Sequence, residues 1–143
     1  MKKVNEWIES VCTALRENPD FSGVLIGPVD PRKQTPRVAA APQIMLEQGA
    51  VTVKNGFLGD PTAYEAARRV SAAVRFHIDA PFIRGASCCG VLFSALCEAL
   101  LFSPEYGVVR MTAGPVTLSQ EKHSFRMDAT AFLELELSRE GGV

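Results

Sequence analysis

Between Phe125 and Leu137 the chain alternates with a period of two, and that run limits the fold more than any other segment. Phe125, Met127, Ala129, Ala131, Leu133, Leu135 and Leu137 fill the odd positions. Arg126, Asp128, Thr130, Glu134, Glu136 and Ser138 take even ones, and Phe132 is the exception. Successive side chains of a strand point to opposite faces, so this is a strand with one apolar flank and one flank for water or a partner. At about 3.4 Å per residue it reaches roughly 40 Å, which implies that it extends past its own sheet. A second run has the same character. Val70, Ala72, Val74, Phe76 and Ile78 alternate with Ser71, Ala73, Arg75, His77 and Asp79, and Pro81 ends the strand.

Two segments carry the helical period instead. Val4, Trp7, Ile8, Val11, Cys12 and Leu15 recur in steps of three and one, an apolar stripe along one helical face. Asn18-Pro19 stops this helix, because the residue before proline avoids the α region. Each large side chain buried along the stripe is worth roughly 1.5–3 kcal/mol, so the helix is built to dock on a sheet. Residues 88–102 form the other helix, with Ser87 as its N-cap. Cys88, Val91, Leu92, Ala95, Leu96, Ala99, Leu100 and Phe102 make it apolar nearly all round. Such a helix is covered on more than one side, by the sheet or by a second subunit.

The remaining segments read as short strands and turns. Phe21–Ile26 is a strand ended by Gly27-Pro28. Residues 27–42 hold Pro28, Pro31, Pro36 and Pro42 with Arg32, Lys33 and Arg37, a long loop. Ile44–Glu47 and Val51–Lys54 read as a hairpin around Gln48-Gly49. Asn55-Gly56 signals a turn, and Asp60-Pro61 can start a short helix containing Ala63, Ala66 and Ala67. Val108–Met111 and Val116–Leu118 are strands separated by Gly114-Pro115, and Ser119–Ser124 is a polar turn. The Gly141-Gly142-Val143 tail reads as frayed. The expected architecture is one α+β domain over residues 1–143. Its mostly antiparallel sheet has about four to six strands and is packed by the N-terminal helix and the second apolar helix.

Charge and cysteine usage narrow the function. The 143 residues carry 15 basic and 16 acidic side chains, a net charge of −1, so the basic excess of a nucleic-acid module is missing and nucleic acid is not an expected partner. No apolar stretch approaches the 20 or so residues that span a bilayer, and Glu6 and Glu9 interrupt any secretory leader. The expectation is therefore a cytoplasmic site of synthesis and no membrane partner. Cys12, Cys88, Cys89 and Cys97 form no C-x-x-C pair and read as reduced, buried thiols.

No phosphate-binding or hydrolase fingerprint is present. His77 and Asp79 share a strand face and could begin a metal site, but Arg75 shares it too, and a solvated polar face is the simpler reading. Cys88-Cys89 sits at a helix N-terminus, where the dipole lowers a thiol's pKa. Adjacent helical residues diverge by about 100°, so the two cannot serve one substrate. Glu134 and Glu136 read as a charged edge against stray strand pairing, and Arg68-Arg69 as a solvated pair. No catalytic, cofactor-binding or metal-binding residue is assigned, and no cofactor is expected.

Two phrases carry a family likeness. One is the strand Val70–Asp79, Ala80-Pro81 and the apolar helix Cys88–Phe102. The other is Val109-Arg110-Met111-Thr112-Ala113-Gly114-Pro115-Val116, a polar turn, and the alternating strand Phe125–Leu137. Together they resemble the small tail-terminator or tail-completion proteins of long-tailed phages and prophages. The resemblance implies a non-enzymatic subunit that closes into a homo-oligomeric, hexameric ring on the tail tube, meets head-completion proteins, and ends in the virion tail. A ring needs two different patches on each subunit to meet. The loops at 27–42 and 55–64 are candidate contacts. The alternatives are a small cytosolic enzyme, or a ligand- or peptide-binding module of unknown substrate.

Overall fold

A computed structural model of the chain describes residues 2–29, 41–54 and 67–138. The expected stripe becomes helix α1, Lys2–Glu17, and its six members Val4, Trp7, Ile8, Val11, Cys12 and Leu15 are the residues it buries. Asn18-Pro19 stops it as expected, and the Asn18 side chain accepts a hydrogen bond from the Asp20 amide at 2.9 Å. The next strand differs from expectation. Phe21 belongs to a 3₁₀ turn, Pro19–Phe21, that tucks its ring into the core, and strand β1 spans only Leu25–Pro28. Pro28 is tolerated there because β1 is an edge strand. The Arg16 Nε donates to the Ile26 carbonyl at 2.9 Å and ties α1 to that edge.

The expected hairpin at residues 44–54 is not formed. Gln43–Lys54 is one continuous strand, β2. Gln48 pairs with Val74 and Val51 with Ala72, so Gly49 and Ala50 together oppose Ala73. This is a β-bulge, one extra residue on one strand. A Cβ on Gly49 would lie 3.0 Å from the Ala73 carbonyl oxygen, so the glycine marks a close backbone approach rather than a turn.

Strand β3, Ala67–Pro81, is followed by helix α2, Ser87–Leu101, and strands β4, Val108–Ala113, β5, Thr117–Ser119, and β6, Ser124–Ser138. The sheet order is β1-β2-β3-β6-β4, with β5 also on β6. Only β1–β2 is parallel. The fold is therefore α+β, with a mostly antiparallel six-stranded sheet. Expected contacts at 30–40, the expected turn and helix at 55–66, and the tail at 139–143 lie outside the described residues.

Strands β3 and β6 pair without a break from Ala67↔Ser138 to Pro81↔Ser124. The expectation that β6 outruns its sheet fails, because β3 is as long. The two alternations face the same way: Val70, Val74, Phe76 and Ile78 meet Leu135, Ala131, Ala129 and Met127. Their shared flank is the core, and α1 and α2 cover it side by side. The Trp7 ring meets Phe76 edge-on at 6.5 Å, while its Nε1 donates to the Tyr106 carbonyl at 2.8 Å.

Helix α2 begins one residue earlier than expected. Ala86 flanks it, so Ser87 is inside the helix, and no side chain caps the end. Its buried residues are Cys89, Leu92, Leu96 and Leu100, one stripe facing the sheet. The expected second covering is not supplied by the described residues. Gly107, between α2 and β4, has φ +65 and brings its carbonyl to the Glu134 amide at 2.9 Å. None of the helices described is long and apolar enough to cross a membrane.

Candidate functional site

Two surfaces carry side chains that the core does not use. The first is the outer side of α2 and the chain around it. Val91 is 67% exposed and Phe102 81% exposed, with Leu101 also accessible. Ile83, in the 3₁₀ turn Phe82–Arg84 before the helix, is 90% exposed, and Val109 at the start of β4 is exposed too. Val109 is the extra residue of a bulge, since Val108 pairs with Leu133 and Arg110 with Phe132. A bulge and a charged neighbour blunt β4 as a pairing edge, which leaves the apolar side chains as its exposed chemistry. Near the α2 N-terminus a cleft of about 350 Å³ is lined by Phe82, Leu118, Gln120, His123 and Phe125.

The second surface is the sheet face opposite the helices. His77 on β3 sits between Asp128 on β6, its direct register partner, and Glu47 on β2, whose register partner is Arg75 two residues away. Its Nδ1 lies 2.7 Å from Asp128 Oδ1, and its Nε2 lies 3.7 Å from Glu47 Oε2. Arg75 reaches Glu47 at 2.5 Å, and the Arg126 Nε donates to Asp128 at 3.1 Å. Burial pushes the Asp128 carboxyl up, but hydrogen bonds from His77 and Arg126 outweigh it and hold the group below its ordinary value. Asp79 behaves oppositely. Burial raises its carboxyl, the pull of Arg126 and Lys122 does not offset this, and its Oδ1 has no hydrogen-bond partner among the described residues.

The expected solvated face is thus corrected at its centre. The His77 side chain is only 17% exposed and is held by neighbouring strands, and it engages Asp128 rather than Asp79. Sequence reasoning missed Glu47 and Asp128 here. The signal that finds them is the phase of both alternating runs combined with antiparallel register, which puts Asp128 directly opposite His77. Among the described residues no cluster of three or more His, Cys, Asp or Glu could hold a metal ion.

All four cysteines are free thiols; Cys12 and Cys89 are buried as expected, whereas Cys88 and Cys97 are half-buried. Cys89 is buried under α2, with its Sγ 3.6 Å from the Phe125 carbonyl. Desolvation, reinforced by Cys88 and Asp79, pushes its thiol up to about 11, the reverse of helix-dipole activation. Burial raises Cys12 and Cys97 as well. Glu134 and Glu136 lie on β6 between β3 and the side where β4 has ended, across from Ser71 and Arg69. The Glu134 amide is still bonded to the Gly107 carbonyl, so among the described residues the unpaired stretch of this side begins beyond Glu134, and the two glutamates do not line a whole edge strand. Arg69 therefore faces a carboxylate across the sheet.

No known family's sequence profile matches the chain, and no curated relative matches it. One solved structure, named without reference to a function, is similar over 95% of this chain and 98% of its own, with a TM-score of 0.52 and 12% identity. That similarity concerns the fold.

Proposed function

We propose that the chain is a structural subunit that works through protein–protein contacts: a ring-forming tail terminator, or head–tail joining subunit, of a long-tailed phage or prophage. The supporting observation is the outward side of α2. A helix whose inner stripe already satisfies the sheet still presents Val91, Leu101 and Phe102. Scattered exposed apolar residues are ordinary on a monomer. Here they lie on one helix and its C-cap, on an outer side that also carries exposed Ser94 and Glu98, and exposed Ile83 and Val109 belong to the segments before and after it; several large apolar side chains on one outer side of that kind support an interaction site. In a ring, this patch on one copy meets a different patch on the next. The assigned partners are further copies of the chain, the tail tube and head-completion proteins. Strand β6 adds nothing to the argument, since the middle of its apolar flank, Ala129, Ala131 and Leu133, is buried within the chain.

The test is light scattering on the purified chain, alone and with isolated tail tubes. The wild type forms a closed multimer, by itself or on the tubes. Val91→Glu with Phe102→Asp abolishes it, while each substitution changes subunit stability by no more than about 0.5 kcal/mol, as exposed sites do. A wild type that stays monomeric under every condition and ignores tail tubes refutes the reading.

A further inference from the structure

The contacts around His77 cannot all be satisfied in one protonation state. Its Nδ1 is 2.7 Å from Asp128 Oδ1 and also 2.7 Å from Arg126 Nη2. A ring nitrogen that carries a proton donates to the carboxylate and then opposes the guanidinium N–H. A bare ring nitrogen accepts from the guanidinium and then opposes the carboxylate oxygen. The Arg126 Nε bond to Asp128, 3.1 Å, is compatible with both states. The other charged groups on this face divide evenly. Glu47 faces Nε2 from β2 and holds Arg75 from the same strand as His77, while Asp79 lies two residues along β3 with Lys122 acting on it from the turn before β6.

We infer that His77 is a proton-operated selector on the bare sheet face, bonded to Asp128 when Nδ1 carries a proton and to Arg126 when it does not. In the protonated state the imidazolium bridges Glu47 and Asp128 across three strands, and the Arg126 fork turns outward. In the deprotonated state Arg126 holds the ring through Nη2, and the Asp128 side chain, 61% exposed, loses its imidazole partner and keeps the bond from Arg126 Nε. The face therefore carries one more positive charge in the protonated state than in the deprotonated one. Histidine is the side-chain type that ordinarily changes charge between about pH 5 and 8.

The experiment follows the ¹⁵N resonances of both imidazoles on the full chain across that pH range, with His123, in the exposed turn, as the comparison inside the same molecule. The wild type loses the Nδ1 proton of His77 as pH rises, and the Arg126 side-chain resonances move with it. Asp128→Asn moves the transition to lower pH, Arg126→Gln moves it to higher pH, and His123 stays unchanged in both. Arg126→Lys, which keeps the charge but lacks the planar fork, falls between wild type and Arg126→Gln. A His77 Nδ1 that keeps one protonation state throughout in the wild type overturns the inference, as does a transition identical in all variants.

Discussion

Replacing Gly107 by alanine tests how tightly the α2–β4 connection is clamped to β6. Gly107 has φ +65, where a Cβ costs about 1–2 kcal/mol. That Cβ would also lie 2.6 Å from the Glu134 carbonyl oxygen and 3.1 Å from Leu135 Cδ2. The carbonyl belongs to the paired backbone of β6 and cannot rotate aside. Relief comes only if the turn lifts away, which breaks the 2.9 Å bond from the Glu134 amide to the Gly107 carbonyl. One such bond contributes about 0.5–1.5 kcal/mol. The sum is about 2–3 kcal/mol, a large share of the 5–15 kcal/mol that holds a domain together. For a chain of this size it lowers the midpoint of thermal unfolding by roughly 10 °C. Circular dichroism melts read it directly, with Gly90→Ala as the control. Gly90 lies inside α2 with nothing within 4 Å of a built Cβ, so alanine there stabilises by up to about 1 kcal/mol. A Gly107→Ala protein that melts with the wild type refutes the clamp.

Two further outcomes follow from buried ionisable groups. The Asp79 carboxyl is raised in the fold, so it favours folding most below its unfolded value and disfavours folding as pH climbs through the folded one. Asp79→Asn should therefore gain stability relative to wild type on going from acidic to neutral pH in urea titrations, and a constant difference across that range contradicts the assignment. Cys89, buried and pushed up to about 11, should be alkylated by iodoacetamide at neutral pH only after denaturant opens the core, as mass spectrometry can show; labelling in the native state at the rate of a free thiol is the contrary result.

What could be read from the residues depended on whether the signal was local and periodic. The stripe of α1 and the alternations of β3 and β6 were legible because burial of one flank imposes a period on the side chains themselves. Gln48-Gly49 misled because a glycine between two apolar runs marks either a tight turn or a bulge, and the choice rests on Ala73 in another strand. Ser87 was misplaced by one residue, the usual uncertainty where no side chain caps the end. The arrangement around His77 was only half legible. Its own face followed from alternation, but Glu47 and Asp128 arrive from strands that no short window contains, and opposite charges there make sense only once the register is known.

The pairing of β3 with β6 also bears on how quickly the molecule can form. Even its nearest partners, Pro81 and Ser124, are separated by α2, β4 and β5, so the centre of the sheet cannot zip up from a local turn. Loop closure has to precede any reward from that contact, which places folding in the slow, millisecond-to-second regime typical of distant strand pairing. Until β6 arrives, the edge of β3 that it pairs with stays open, and a nascent chain at high concentration is vulnerable to aggregation during that interval.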